Sequence, residues 1–368
     1  MAEVSQYAQQ EDTVNRLFCK PGDMLKSRYR VLEVCSDGAF SNVYICRDIE
    51  RNTNVVIKVY RSHPYFKDAA VREIKIMQIL NKLDVDQSLF VEFFGSFFYK
   101  RHLCLSFQQY GLTLFDAMRS RNYRPFPYYA VQYIMYKICK AVAILHHNNM
   151  IHTDIKPENI LLPIGFDLVH GFDNISTYSD APSEYPSGSE DNGIIFDPDD
   201  GNQKVPLDVR LIDFGSLSTS GKWHYMLATT RRYRAPEIML GERWSVECDI
   251  WSLGCLLVEL ATGDIPFDSR DDLEHLFLIQ HMISPFPKRM RKECTIEKIK
   301  ESFCGDLINP QCLSEQANAC LMSRLPLVDY LGGEEDLIDL TLKMLDPDPF
   351  KRPSIDDILE HQFFAALR

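Results

Sequence analysis

Apolar residues along this chain recur first at strand spacing and later at helix spacing. Residues 1–28 are polar and irregular; short runs rich in β-branched residues then follow at 31–34, 43–46 and 55–60, and read as successive antiparallel strands. Over 69–80 the period lengthens, with Val71, Ile74, Met77 and Leu80 spaced to share one helical face. A further strand over 103–107 completes a small sheet with a single helix. Beyond Gln108 the pattern is helical: Val131, Ile134, Met135, Ile138, Val142 and Leu145 form a stripe that stops near His147-Asn148-Asn149. Residues 250–261 are apolar on nearly every face except at Glu259, as in a helix buried within a large body. The predicted class is α+β, a small antiparallel β-rich part with one main helix followed by a larger, mainly helical part.

Composition narrows this little. The 368 residues suffice for a sizeable core, and 45% hydrophobic with 25% charged residues are ordinary globular values. The formal charge of -12 argues against nucleic-acid binding through phosphate contacts and favours basic partners, with solubility alone as the competing explanation. Eleven scattered cysteines, none in a Cys-x-x-Cys pair, read as reduced thiols of an intracellular protein. No signal-like apolar core follows Met1, and no run approaches the roughly 18 uncharged residues of a membrane span. Residues 163–207 hold nine acidic side chains, from Asp167 to Asp200, against Lys204 alone, and read as an insertion or as a solvated loop.

The chemistry gathers in two places. His152-Thr153-Asp154-Ile155-Lys156-Pro157-Glu158-Asn159, followed by Asp213-Phe214-Gly215, offers a base, a phosphate contact and two metal ligands, the parts that phosphoryl transfer to a hydroxyl requires. Lys58 stands inside an apolar strand, where a charge is costly unless a ligand or counter-ion meets it. Glu73, on the following helix, is its natural counter-ion.

Lys58, Glu73, Asp154, Lys156, Asn159, Asp213-Phe214-Gly215 and Ala235-Pro236-Glu237 stand in the order of the protein-kinase signatures, and from about residue 29 the chain resembles the eukaryotic protein kinases. The resemblance implies the bilobal kinase fold, with 29–107 as N-lobe and 108–368 as C-lobe, ATP as phosphoryl donor and Mg2+ as metal. Lys58 would contact the α- and β-phosphates. Asp154 would accept the incoming hydroxyl's proton, Lys156 would meet the γ-phosphate, and Asn159 and Asp213 would hold Mg2+. Ser36-Asp37-Gly38-Ala39-Phe40-Ser41-Asn42-Val43 sits where kinases carry a glycine-rich phosphate loop, with only its middle glycine kept. Phe107 would guard the back of the adenine pocket, and the backbone of Gln108 and Tyr110 would meet the adenine edge. Asp249 would brace the catalytic loop, and Arg352 would pair with Glu237.

Thr153 replaces the arginine with which most kinases clamp a phosphorylated activation loop. His-Thr-Asp-Ile-Lys-Pro-Glu-Asn, Asp213-Phe214-Gly215-Ser216, and the stretch from Thr229 through Arg231-Arg232-Tyr233-Arg234 to Glu237 resemble the LAMMER, or Cdc-like, dual-specificity kinases of the CMGC group. At the name-giving motif only Glu274-His275-Leu276 matches, within a CMGC-type insertion over about 268–330. This resemblance implies basic Arg/Ser-rich splicing proteins as substrates, some tyrosine autophosphorylation, a monomer without direct nucleic-acid or membrane contact, and a nuclear location, with the cytoplasm second. A neutral Thr153 further predicts activity without activation-loop phosphorylation, so that alanine at Thr229 and Thr230 leaves most turnover intact. The rival readings are another splicing-related CMGC kinase and a pseudokinase scaffold.

Overall fold

The computed structural model describes residues 16–38, 41–172, 207–219, 224 and 229–368. The chain divides into two compact units, Met1–Tyr110 and Gly111–Arg368.

The first unit is built on a six-stranded antiparallel sheet in the order β1 (Met24–Leu25), β2 (Tyr29–Asp37), β3 (Ser41–Asp48), β4 (Thr53–Tyr60), β6 (His102–Gln108) and β5 (Phe93–Tyr99). Strand β5 is an addition to the sequence reading. Its FFGSFFY run lacks alternation, and Tyr99 pairs with His102 across a two-residue turn, Lys100-Arg101, whose φ angles of 44° and 71° are supplied without glycine or asparagine. The helix α1 (Pro64–Leu83) starts at Pro64, preceded by a His63 cap, and ends where Asp84 accepts hydrogen bonds from the amides of Ser88, Leu89 and Phe90 at 2.9–3.1 Å.

Its inward face differs from the predicted one. Val71 is 37% exposed, and Ala70, Glu73, Met77 and Leu80 point inward. An apolar count ranks Val71 above Glu73, but Glu73 has a cation waiting inside. The residues before 29 are also less irregular than expected. Leu25 and Cys19 are buried, and the Leu17 carbonyl accepts from Asn42 Nδ2 at 3.1 Å and Tyr44 Oη at 2.8 Å.

In the second unit, α2 (Leu114–Ser120) and α3 (Tyr128–His147) precede two short strand pairs. The strand β7 (Met150–Ile151) pairs with β10 (Ser218–Thr219), and β8 (Ile160–Leu161) with β9 (Arg210–Leu211). After α4 (Pro236–Met239) comes α5 (Glu247–Thr262), buried along almost its whole length as its all-round apolar pattern predicts. Gly254 lets α5 come close to the next layer: a β-carbon there would lie 2.7 Å from the Leu345 side chain. Gly263 caps the helix at φ 78°, where a β-carbon would meet the Tyr123 carbonyl. Then follows α6 (Asp272–Met282), capped by Asp271. The base of the acidic insertion is folded: Phe172 is buried and stacks edge-on against Phe126 at 4.6 Å and Phe166 at 4.9 Å. The rest of that insertion, 173–206, lies outside the described residues. Among the described residues no helix is long and apolar enough to cross a membrane.

Candidate active site

In the first unit, strand alternation places Lys58 and Tyr60 on one face of β4. Lys58 Nζ lies 2.9 Å and 3.0 Å from the two carboxylate oxygens of Glu73, with side-chain exposures of 16% and 3%. The Tyr60 hydroxyl donates to Glu73 Oε2. Val43 stands opposite Lys58 in the sheet, and Phe107 opposite Val56. Phe107 is buried against Phe93, ring centroids 5.4 Å apart. The Gln108 amide bonds to the Glu92 carbonyl at 2.8 Å. Ser36 is exposed, while Gly38 donates its amide to the Ser41 carbonyl at 3.0 Å, closing the β2–β3 turn. Ala39, Phe40 and the Asp37 side chain lie outside the described residues.

The catalytic segment of the second unit is held from below by Asp249. This buried carboxylate accepts from the amides of His152 at 2.8 Å and Thr153 at 2.9 Å, with His146 Nε2 3.0 Å away. Thr153 sits at φ 68°, a conformation costly for a β-branched residue, and these bonds hold it there. Its hydroxyl donates to the Ser216 carbonyl at 3.0 Å. His152 accepts the Asp154 amide on Nδ1 at 3.2 Å, so Nε2 carries the proton and donates to the Ile212 carbonyl at 3.1 Å. The loop is thereby tied on both sides to the stretch around Asp213-Phe214-Gly215.

Around Asp154 the polar groups converge. Lys156 Nζ is 2.7 Å from Asp154 Oδ2 and 2.9 Å from Thr230 Oγ1, and Thr230 donates to Asp154 Oδ1 at 2.6 Å. Asn159 Nδ2 donates to the Asp154 carbonyl at 2.8 Å and to its Oδ2 at 3.1 Å. With its nitrogen so committed, the Asn159 amide offers a cation its oxygen. The Ile212 amide bonds to the Asn159 carbonyl at 2.9 Å, which brings the exposed Asp213, at φ 67°, next to Asn159. An amide oxygen and a carboxylate are hard donors of the type that suits Mg2+.

Behind this loop, Tyr233 donates to Glu259 Oε2 at 2.6 Å in a buried pair. Burial chiefly pushes the Glu259 carboxyl up to about 7, and Glu158 adds to the rise. Arg352 grips Glu237 through two 2.8 Å bonds with neither side chain reaching solvent; breaking such a pair typically costs about 3–5 kcal/mol. His275, in the segment at the name-giving motif, is buried in α6 and held neutral down to about 3, by burial first and then by Arg234 and Arg231.

Two participants escape the sequence reading. Tyr60 was legible as the residue two beyond Lys58 on the same strand face. Thr230 was legible only as a segment residue; its bonds to Asp154 and Lys156 set a positioning role for it beside the expectation that alanine at Thr229 and Thr230 leaves most turnover intact.

A family model described as protein kinase domain matches residues 29–364. The chain is 34% identical over 357 residues to the serine/threonine-protein kinase AFC2 of Arabidopsis thaliana, covering 94% of this chain and 79% of that protein. It is 32% identical to the dual specificity protein kinase CLK2 of Mus musculus, covering 98% and 68%, and 31% identical to human CLK1, covering 98% and 70%. The crystal structure of a kinase domain superposes with a TM-score of 0.78 at 28% identity, over 96% of this chain and all of that one. Sequence, fold and relatives agree: the chain is a protein kinase and belongs to the Cdc-like, or LAMMER, group of the CMGC kinases.

Proposed function

We propose that this kinase transfers the γ-phosphoryl group of ATP to serine and threonine of basic, Arg/Ser-rich splicing proteins, phosphorylates itself in part on tyrosine, and works as a monomer in the nucleus. The observation that carries the reaction is the convergence of Lys156, Thr230 and Asn159 on Asp154. In this reading Asp154 aligns the acceptor hydroxyl and takes its proton, Lys156 meets the transferred phosphoryl, and Thr230 fixes both side chains. Lys58, oriented by Glu73, contacts the α- and β-phosphates, with the 36–43 turn over them and Phe107, Gln108 and Tyr110 at the adenine. Asn159 and Asp213 would hold Mg2+, which supplies charge neutralisation across the phosphates.

The basic substrate is supported by charge near that loop. Glu158, exposed within the catalytic segment, lies close enough to Glu259 for its charge to be felt there, and offers a carboxylate to an arriving guanidinium. Relatives named dual specificity kinases support activity beyond serine and threonine. The test is transfer from labelled ATP to Arg-Ser and Ser-Pro peptides. Wild type should phosphorylate the Arg-Ser peptide preferentially, and Asp154→Asn should lose at least about 100-fold, the scale of a positioned general base. Equal transfer by Asp154→Asn would falsify the role of Asp154; preference for proline after the acceptor would favour the other CMGC reading.

A further inference from the structure

Glu73 is 3% exposed, and a carboxylate so far from water needs hydrogen-bond partners for its oxygens. Lys58 supplies an ammonium at 2.9 Å and 3.0 Å. In the reading above, the same ammonium must also serve nucleotide phosphates. Whatever share of Lys58 goes to phosphate is withdrawn from Glu73, unless a second donor stays behind. The donor present is Tyr60, which is itself 2% exposed and whose hydroxyl donates to Glu73 Oε2.

Three features make this more than a core tyrosine touching a neighbour. Tyr60 is fixed from its backbone, since its carbonyl lies 2.7 Å from His102 Nδ1 and its pairing in the sheet is to Ser41, the first residue of β3. Lys58 Nζ lies 5.4 Å from the centroid of the Tyr60 ring, a cation–π contact that limits where the ammonium swings. Glu73 lies near the middle of α1, so a bond from β4 to this carboxylate also holds the helix against the sheet.

We propose that Tyr60 is a positioning residue. Its hydroxyl keeps the Glu73 carboxylate hydrogen-bonded and aimed while Lys58 engages phosphate, and so keeps α1 in its paired position without an outside activator. The proposal rests on the reading of Lys58 as the phosphate contact.

The experiment measures kcat and KM for Mg·ATP on the full chain, for wild type, Tyr60→Phe, Glu73→Gln, the double variant and Lys58→Met, with thermal melts in the presence and absence of Mg·ATP. Tyr60→Phe is expected to lower kcat/KM for ATP about tenfold, the low end for a hydrogen bond to a charged group, with KM for the peptide unchanged. In the Glu73→Gln background the same substitution should add little, because the charge through which it acts is gone. A tenfold loss in both backgrounds, or none in either, overturns the proposal. Should Tyr60→Phe melt too low for turnover, its Mg·ATP-induced shift in Tm decides: a smaller shift than wild type supports the proposal, and an equal one overturns it. Retained turnover in Lys58→Met overturns the reading of Lys58 itself, whereas an inactive Lys58→Met beside an unaffected Tyr60→Phe overturns the proposal alone.

Discussion

At 2% exposure, the Glu259 carboxyl exchanges hydration for a hydrogen bond from Tyr233, and its pKa climbs from an ordinary 4.5 to about 7. Between those values the folded chain keeps a proton that the unfolded chain has released. Stability therefore falls as pH rises through this window, by at most about 3 kcal/mol once complete. Glu259→Gln removes the titration and keeps an acceptor for Tyr233. The variant should melt above wild type at pH 8 and converge with it near pH 4.5, while its KM for Arg-Ser peptides rises several-fold. Calorimetry across pH and peptide kinetics check the two halves. The composition of 250–261 announced this residue, as the one charge in an apolar stretch; its partner Tyr233, 26 positions upstream, was not legible.

Among elements, the segment after Asp213 differs most from what a phosphate-clamped kinase needs. An arginine at 153 would require an anion, whereas Thr153 reaches the Ser216 carbonyl directly. Strand β10 pairs with β7, and His224 bridges Trp244 through two backbone bonds of 3.0–3.2 Å, with rings stacked at 4.5 Å. Thr230 then closes on Asp154 and Lys156. None of these ties uses a phosphate. Enzyme stripped by a phosphatase should keep at least about half its turnover, whereas Thr230→Ala should lose tenfold or more, the scale of a misplaced positioning group. A phosphatase-treated sample that is folded yet inactive would refute the first expectation. Elements with strong periodicity, β4 and the helices α3 and α5, were readable in advance. Strand β5 was not, because its turn obtains left-handed φ from Lys100 and Arg101, which carry no turn signature.

For the whole molecule, the -12 charge predicts a field that would draw in a basic peptide over about a Debye length and fade with salt. Raising ionic strength from about 0.05 to 0.5 M should raise KM for an Arg-Ser peptide several-fold and leave KM for a neutral peptide nearly unchanged. Equal salt sensitivity for both peptides would confine the charge to a role in solubility.

The linear order of residues was enough to determine the reaction class and the family, since Lys58, Asp154, Asn159 and Asp213 are chemically distinctive and a motif survives being read in one dimension. Period-2 and period-3.6 patterns likewise announced most strands and helices, because burial of one face leaves a trace in every such element. Only the tertiary structure decided which face of α1 turns inward, that Tyr60 shares Glu73 with Lys58, and that Thr230 closes on Asp154. Those outcomes depend on polar groups meeting partners 13 to 76 residues away. A buried polar residue looks misplaced in its own segment until the partner that satisfies it is brought into contact by the fold.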